Sequence, residues 1–456
     1  MNTATDLKNL DKALLHPFTD LRAHEEKGPF IINRGEGVYV YDDNDKRYLE
    51  GMSGLWCSGL GFSEPRLAEA AARQFERLPY THLFTHRSND TAIQLADKLV
   101  SIAPESMCRA FLVNSGSEAV DTAVKIAWFY HIARGDNKRK SFIARKRAYH
   151  GVTVAAGSLA CLAYVHDGFD LPAIDVHHVT TPHHYRYAEE NESESEFTDR
   201  LVAEVAAVIE EHGADTIAAF IAEPIMGAGG VIVPPDDYFR KLKPLLEANG
   251  ILMIADEVIC GFGRTGNVWG SQTMHYEPDI MTVAKQLSAA FLPIGGVLVN
   301  DKVYEGLRAG SDQTGMFGTG NTYGGHPVSC AVALEAIRIY EEDGVYENVR
   351  AMAPKFAERL QALANHPLVG NVRCRGLIGG VEIVRDKSTR EQFPLADKTG
   401  FKVATAALAH GAVVRAIPFD TIGICPPMII NEEQIDELFD AVGDALNDVA
   451  NQLGTG

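Results

Sequence analysis

Residues 251–266 read ILMIADEVICGFGRTG, and residues 282–288 read TVAKQLS. The first run is apolar without interruption until Asp256, the pattern of a strand buried on both faces, and it places a carboxylate at the strand's end. The second is also apolar and carries one cation, Lys285. A lysine can hold a carbonyl cofactor as a Schiff base, and a carboxylate can keep a pyridine nitrogen protonated so that the ring accepts electrons. Those two groups are what a pyridoxal phosphate enzyme needs, and Asp256 and Lys285 are the candidates.

The same run contains a competing pattern. Gly261, Gly263 and Gly266 spell G-x-G-x-x-G after a strand, the spacing of a dinucleotide-binding turn. Such a turn opens a long amphipathic helix, whereas NVWGSQTMHYEPD follows here, with Gly270 and Pro278 where the helix would run. A loop is expected instead, so a nicotinamide-dependent dehydrogenase is the weakest reading.

Outward from this centre, short β-rich segments (RAFLVN, KSFIARK, TIAAFIAEP, LPIGGVLV) alternate with helical ones (EAVDTAVKIAWFYHIA, DDYFRKLKPLLEANG). That alternation predicts an α/β fold with a mostly parallel sheet covered on both faces. The last third changes to long helices flanking a few strands, RGLIGGVEIV and AVVRAI among them, which predicts a smaller α+β domain. GVYVYDDNDKRYLEG near the N-terminus is expected to join it. The expected division is an N-terminal segment over 1–60 at the active-site entrance, a large cofactor-binding domain over 61–328, and a C-terminal small domain over 329–456.

The 456 residues are 46% hydrophobic, enough for a large core and a satellite. With 42 basic and 61 acidic residues the net charge is −19, which argues against nucleic acid or an anionic membrane as partner. No apolar run has the length of a membrane span and the first twenty residues hold no signal-like core, so a soluble cytoplasmic protein is expected. Seven cysteines without a C-x-x-C pair suggest reduced thiols. Part of the acidic excess lies in AEENESESEF (188–197), expected to be a solvated loop. His177, His178, His183 and His184 tempt a metal assignment, but adjacent strand residues face opposite ways and no carboxylate stands at a ligand-like spacing; a polar loop is the expected home, and no metal is expected.

Around the two central residues, Ser115, Gly116 and Ser117 follow a strand and open a helix, a source of backbone N–H groups for an anion; equally, Ser115 could simply cap the helix. Tyr149 and His150, with Gly151, follow KSFIARK at the same sheet edge, where Tyr149 could stack on a planar ring or be a core tyrosine. Glu223 ends another apolar strand, where burial without a partner would be costly.

Taken together, NSGSEAVDTAVK, AYHG, IAEPIMGAGGVIVPP, IADEVICGFGRTG, AKQLS and TGNTYGGHPVSCA resemble the class III aminotransferases of pyridoxal phosphate fold type I. Similarity to the ω-transaminases that use pyruvate rests on HPFTD, GMSGLWC and VVRA. The resemblance implies a ping-pong aminotransferase taking an amino group from a primary amine or ω-amino acid to pyruvate. Taurine– or β-alanine–pyruvate transfer is the narrower alternative, and a decarboxylase or racemase on the same fold the broader one. It implies that Lys285 is the Schiff-base lysine and proton carrier, Asp256 the partner of the pyridine nitrogen, Val258 the residue behind the ring and Tyr149 the aromatic in front. Ser115, Gly116 and Ser117 match a phosphate cup. Thr322 matches a threonine reaching the neighbouring subunit's phosphate, which implies at least a homodimer, with a dimer of dimers open. Phe18, Trp56 and Phe84 match pocket-lining positions, and Arg415 the arginine that clamps a substrate carboxylate. Two departures, Gln286 after the lysine and Met226 after Glu-Pro-Ile, bear on specificity.

Overall fold

The computed structural model describes residues 4–454, so the ends of the N-terminal segment and of the C-terminal domain, residues 1–3 and 455–456, lie outside the described residues. Near the N-terminus β1 (Ile32–Glu36), β2 (Tyr39–Asp42) and β3 (Arg47–Glu50) form an antiparallel meander. The next seven strands build one sheet. They are β4 (Met107–Val113), β5 (Ser141–Arg145), β6 (Val176–Val179), β7 (Ile217–Ala222), β8 (Leu252–Asp256), β9 (Ile280–Val283) and β10 (Gly295–Asn300), in the spatial order β4-β10-β9-β8-β7-β5-β6. Only β10 runs against the others.

Every residue of β7 and β8 is buried, as the uninterrupted apolar runs require. Their neighbours divide by alternation. Phe142 and Ile254 join the core under the helix Gly116–Ala133, whereas Ile143 and Met253 face the opposite core, which includes Phe239 and Leu242 of the helix Tyr238–Ala248. Helices therefore cover both faces, and the sheet's carboxyl edge is left as the place where chains turn and a ligand can sit.

The remaining strands are β11 (Val369–Arg375), β12 (Ile378–Ile383), β13 (Ala412–Val413), β14 (Arg415–Ile417) and β15 (Thr421–Ile424). A four-stranded sheet orders them β11-β12-β15-β14, while β13 instead pairs in parallel with β3 and so ties the C-terminal region to the N-terminal meander. Two sequence expectations are corrected here. AVVRAI is not one strand: its halves belong to two sheets. RGLIGGVEIV is likewise broken, because a turn at Gly376 and Leu377 folds β12 back on β11.

The acidic stretch at 188–197 is also more ordered than a solvated loop. Ser193 and Glu196 form a reciprocal capping box that starts the helix Glu194–His212, and Glu192 pairs with Arg200 at 2.7 Å. The acidic residues fall on a helix N-terminus, where the macrodipole favours them. His177 and His178 lie on β6, not in a loop: His177 stacks on His212 at 3.8 Å, and His178 lies 3.3 Å from the Leu159 carbonyl. His183 is buried just before the short helix His184–Tyr187, and His184 lies 2.7 Å from the Glu192 carbonyl. All seven cysteines are unpaired, and among the described residues no helix is long and apolar enough to cross a membrane.

The glycine-rich run after β8 is a turn, as its sequel predicts: the next helix, Gly270–Thr273, has four residues. Its work is done by Arg264, which is fully buried and donates to the Leu377 and Pro426 carbonyls and to the Ser53 hydroxyl. One guanidinium thus joins the turn to both the N-terminal and the C-terminal regions.

Candidate active site

Parallel strands deliver their last residues to one edge, and here that edge surrounds a cavity. It is lined by Ser115, Gly116 and Ser117 after β4, by Tyr149, His150 and Gly151 after β5, by Glu223 after β7, by Asp256, Val258 and Ile259 after β8, and by Lys285 after β9. The first turn of the helix Gly116–Ala133 opens into it, with backbone N–H groups that have no acceptor within their own helix. Ser115 does cap that helix, its hydroxyl accepting from the Glu118 N–H at 3.2 Å. Capping and lining the cavity are compatible, since the cap brings the hydroxyl to the helix mouth. Gly116 leaves no room for a side chain, because a Cβ would lie 3.0 Å from the Val258 methyl. Gly151 has a positive φ of 134°, and a Cβ there would meet the Ser117 hydroxyl at 2.5 Å.

Asp256 is buried and held by three groups. His150 Nδ1 lies 2.7 Å from Oδ2, while the Thr282 hydroxyl and the Val258 N–H donate to Oδ1 at 3.1 and 3.2 Å. Hydrogen-bond partners on both oxygens fix the carboxylate's orientation. Thr282 is a supporting residue that the sequence does not announce: it stands beside Asp256 only because β9 pairs with β8 in that register.

Glu223 accepts from the Tyr149 N–H at 3.2 Å and the Gly227 N–H at 2.8 Å. Burial pushes its pKa up and the Asp256 charge adds to this, against the opposing pull of His150 and Arg145. Lys285 sits at the start of a single 3-10 turn with a left-handed φ of 47°. Non-glycine residues seldom occupy that region, and they do so where function constrains the backbone. Burial lowers the Lys285 pKa, partly offset by the Asp256 charge. The site therefore joins a buried lysine, its pKa lowered by burial, to a carboxylate fixed by three hydrogen-bonding groups, beside a helix N-terminus suited to an anion. A pyridine ring carrying an aldehyde and a phosphate fits that set of donors.

The neighbouring Glu257 points elsewhere. It is buried, accepts from the Gly270 and Ser271 N–H groups at 2.8 and 2.6 Å, and is pushed up to about 7 by burial. It serves the following helix rather than the cavity.

The other expected residues do not line this cavity. Trp56 is buried in an apolar cluster that also holds Met52, Ile417 and Ile259, the last a residue of the cavity wall. Phe18 is exposed and meets Tyr164 edge-on at 5.8 Å. Phe84 is exposed beside Gly320. Thr322 is exposed, and its carbonyl accepts from the Tyr80 hydroxyl at 2.9 Å. Arg415 lies on β14, half-buried and not in a surface loop, near enough to Tyr149 and Tyr164 to oppose the rise that burial gives their pKa values. Gln286 turns away from the cavity: its side-chain carbonyl accepts from the Gly59 N–H at 3.0 Å and lies 3.3 Å from the Tyr340 hydroxyl. Met226 packs with Ala148 and Ile232. The two departures thus sit behind the site and not in its walls.

Comparison with known proteins agrees with this geometry. The aminotransferase class-III family profile matches residues 21–446. A tomato (Solanum lycopersicum) protein named gamma aminobutyrate transaminase 3, chloroplastic, is 44% identical over 99% of this chain and 87% of its own. Vanillin aminotransferase of Capsicum annuum is 42% identical over 96% of each. Among solved structures, the omega transaminase from Pseudomonas jessenii in complex with PMP superposes with a TM-score of 0.97 at 46% identity, covering 99% of both chains. A transaminase solved with L-alanine gives 0.91 at 49% identity over 93% of this chain and 100% of that one. A profile spanning nearly the whole chain and relatives of this identity leave one assignment: the chain belongs to the class-III aminotransferases, which depend on pyridoxal phosphate.

Proposed function

We propose that this enzyme passes an amino group from a primary amine or ω-amino acid to pyruvate in two half-reactions, with Lys285 as the residue that binds the cofactor covalently and then moves the proton. Bound at the sheet edge, pyridoxal phosphate supplies the electron sink that stabilises the carbanion left when a C–H proton departs. The protein supplies the rest. Asp256, oriented by His150 and Thr282, would partner the ring nitrogen and favour its protonated form. Val258 and Tyr149 would hold the ring, and residues 115–117 would anchor the phosphate at the helix mouth. Lys285, its pKa lowered by burial, is the amine placed at the sheet edge to take the substrate's proton and return it.

The observation that carries the choice of acceptor is Arg415. It is half-buried near Tyr149, and among the described residues no carboxylate lies within ion-pair distance of it. A guanidinium left without a counter-charge beside an active site is suited to a keto acid or amino acid carboxylate. The solved relative with L-alanine supports the alanine–pyruvate pair, and relatives named for gamma-aminobutyrate and for vanillin support a donor range that includes both ω-amino acids and plain amines. Phe18, Trp56 and Phe84 shape the donor side in this reading.

The proposal extends to assembly and place. Exposed Thr322 completes a neighbouring subunit's phosphate site, which makes the active unit a homodimer. The large domain spans 61–328, with 1–60 and 329–456 forming the smaller part, and the enzyme works in the cytoplasm, which cell fractionation checks. Alanine formation from pyruvate should appear with at least one of gamma-aminobutyrate, β-alanine, taurine, a diamine or a benzylic amine. Failure with all of them, alongside carbon dioxide release or racemisation, would move the assignment to another reaction of the same cofactor.

A further inference from the structure

We propose that Asp11, His16 and His24 form a binding site for a divalent transition-metal ion of the zinc type, which clips the N-terminal segment into a closed loop at the active-site entrance. His16 Nε2 lies 3.1 Å from both oxygens of Asp11, and His24 Nε2 lies 2.7 Å from Oδ2. One nitrogen from each ring and one carboxylate oxygen all fall within 4.8 Å of one another. A tetrahedral zinc site with bonds near 2.0 Å has ligand atoms about 3.3 Å apart, and the two histidine-to-carboxylate separations, 3.1 and 2.7 Å, stand close to the edges of such a site. It is the only such convergence of histidine, cysteine and carboxylate groups among the described residues.

The chain builds this geometry from three short pieces. Asp11 opens a 3-10 turn, His16 follows in the loop, and His24 lies in the helix Leu21–Lys27, whose first turn is capped by Asp20. The two imidazoles are 4.0 Å apart between centroids and tilted by 39°. Two protonated rings that close would repel one another across a single carboxylate. Two neutral rings can each donate an Nε2–H to Asp11, and displacement of those two protons by a cation, with each ring's proton then on Nδ1, would leave both Nε2 lone pairs and the carboxylate as ligands; a His-His-carboxylate set is a recurrent zinc ligand type. The side chains are 23%, 20% and 16% exposed for His16, His24 and Asp11, shielded enough for a fixed site and open enough for a water to complete the coordination.

The loop so closed carries Phe18 between two of its ligands. Phe18 has a left-handed φ of 51° and sets its ring edge-on against Tyr164, which in turn lies near Arg415 and Tyr149. A metal clip would hold this segment without any apolar core of its own, since no residue of the turn at 11–13 or of the helix Leu21–Lys27 is buried.

The test uses untagged holoenzyme freed of metal by a chelator and titrated with Zn2+ by calorimetry, with metal content confirmed by elemental analysis. One zinc per chain is expected. His24→Ala, and separately Asp11→Asn, should weaken binding by at least the ~100-fold that loss of even an outer-shell partner can cost. Binding should also weaken as pH falls below the histidine range, because protons compete for the ligand nitrogens. Both variants should keep the holoenzyme's visible cofactor band, which shows that they have folded. No uptake by the wild-type chain, or equal uptake by wild type and a folded His24→Ala variant, would overturn the proposal.

Discussion

Lys285, Asp256, Glu223 and residues 115–117 meet because each follows a strand of one sheet, whereas Phe18, Trp56, Phe84 and Arg415 come from four segments far apart in sequence. On the first side, geometry is set by the shared direction of the strands and by close hydrogen bonds. On the second, it depends on long-range packing: Trp56 sits in the apolar cluster that includes Ile259, and Arg415 is placed by a strand that pairs with β15. The account therefore assigns the chemistry shared by both half-reactions to the sheet edge, and the choice of substrate to the rim. Substitutions on the first side should slow all substrates alike, and those on the second should divide them.

The largest effect should come from Lys285→Ala, which is expected to cut turnover at least ~10⁴-fold, the upper range of a positioned proton-transfer group. Pyridoxal phosphate should still bind without a covalent link. Single-turnover kinetics on the variant in excess pyridoxal phosphate check this, and near wild-type rates would break the comparison at its centre. Asp256→Asn comes next, at roughly 10²-fold or more, with amine and keto acid affected equally because a neutral partner no longer favours a protonated ring. An effect confined to one substrate would move Asp256 to the rim side.

Arg415→Ala should sharpen the contrast. Loss of a charge-assisted bidentate pair is worth about 1.5–3 kcal/mol, so kcat/KM for pyruvate should fall on the order of 10- to 100-fold while that for a plain amine changes little. Equal losses on both substrates would argue against the clamp.

The last expected effect is on stability and leaves turnover aside. Glu257 is held at about 7 by burial, above its value in the unfolded chain, so the folded state keeps its proton where the unfolded state has lost it. Its contribution is therefore full below about pH 4.3 and declines as pH rises towards 7. Relative to Glu257→Gln, wild type should lose up to about 3 kcal/mol across that window. Thermal melts of both proteins between pH 4 and 8 measure this, and a wild type that gains stability relative to Glu257→Gln as pH rises would have the wrong sign.

The same contrast explains what the sequence made legible. Strands such as ILMIAD and TIAAFIA are buried on both faces, so their composition alone reports a covered parallel sheet, and the residue that breaks each apolar run lands at the carboxyl edge. That is how Asp256, Glu223 and Lys285 could be singled out together. Thr282 could not, because its role follows from the pairing of β9 with β8 and not from its neighbours in sequence. Nor could the split of AVVRAI between two sheets, since Val413 and Arg415 look like one strand until β3 and β15 claim them separately. Glu257 gives the opposite lesson: it adjoins Asp256 in an acidic pair, yet its carboxylate caps the helix at Gly270, a distinction only the turn between them decides. The acidic run at 188–197 hid a helix start because capping boxes and solvated loops draw on the same residues.

The most direct test of the central claim is the visible absorption of the purified holoenzyme, recorded alone, after an amine donor and again after pyruvate. The account predicts a yellow band that bleaches with the amine and returns with pyruvate, and that is absent from Lys285→Ala after dialysis. A band that no amine bleaches, or one that persists unchanged in dialysed Lys285→Ala, would contradict it.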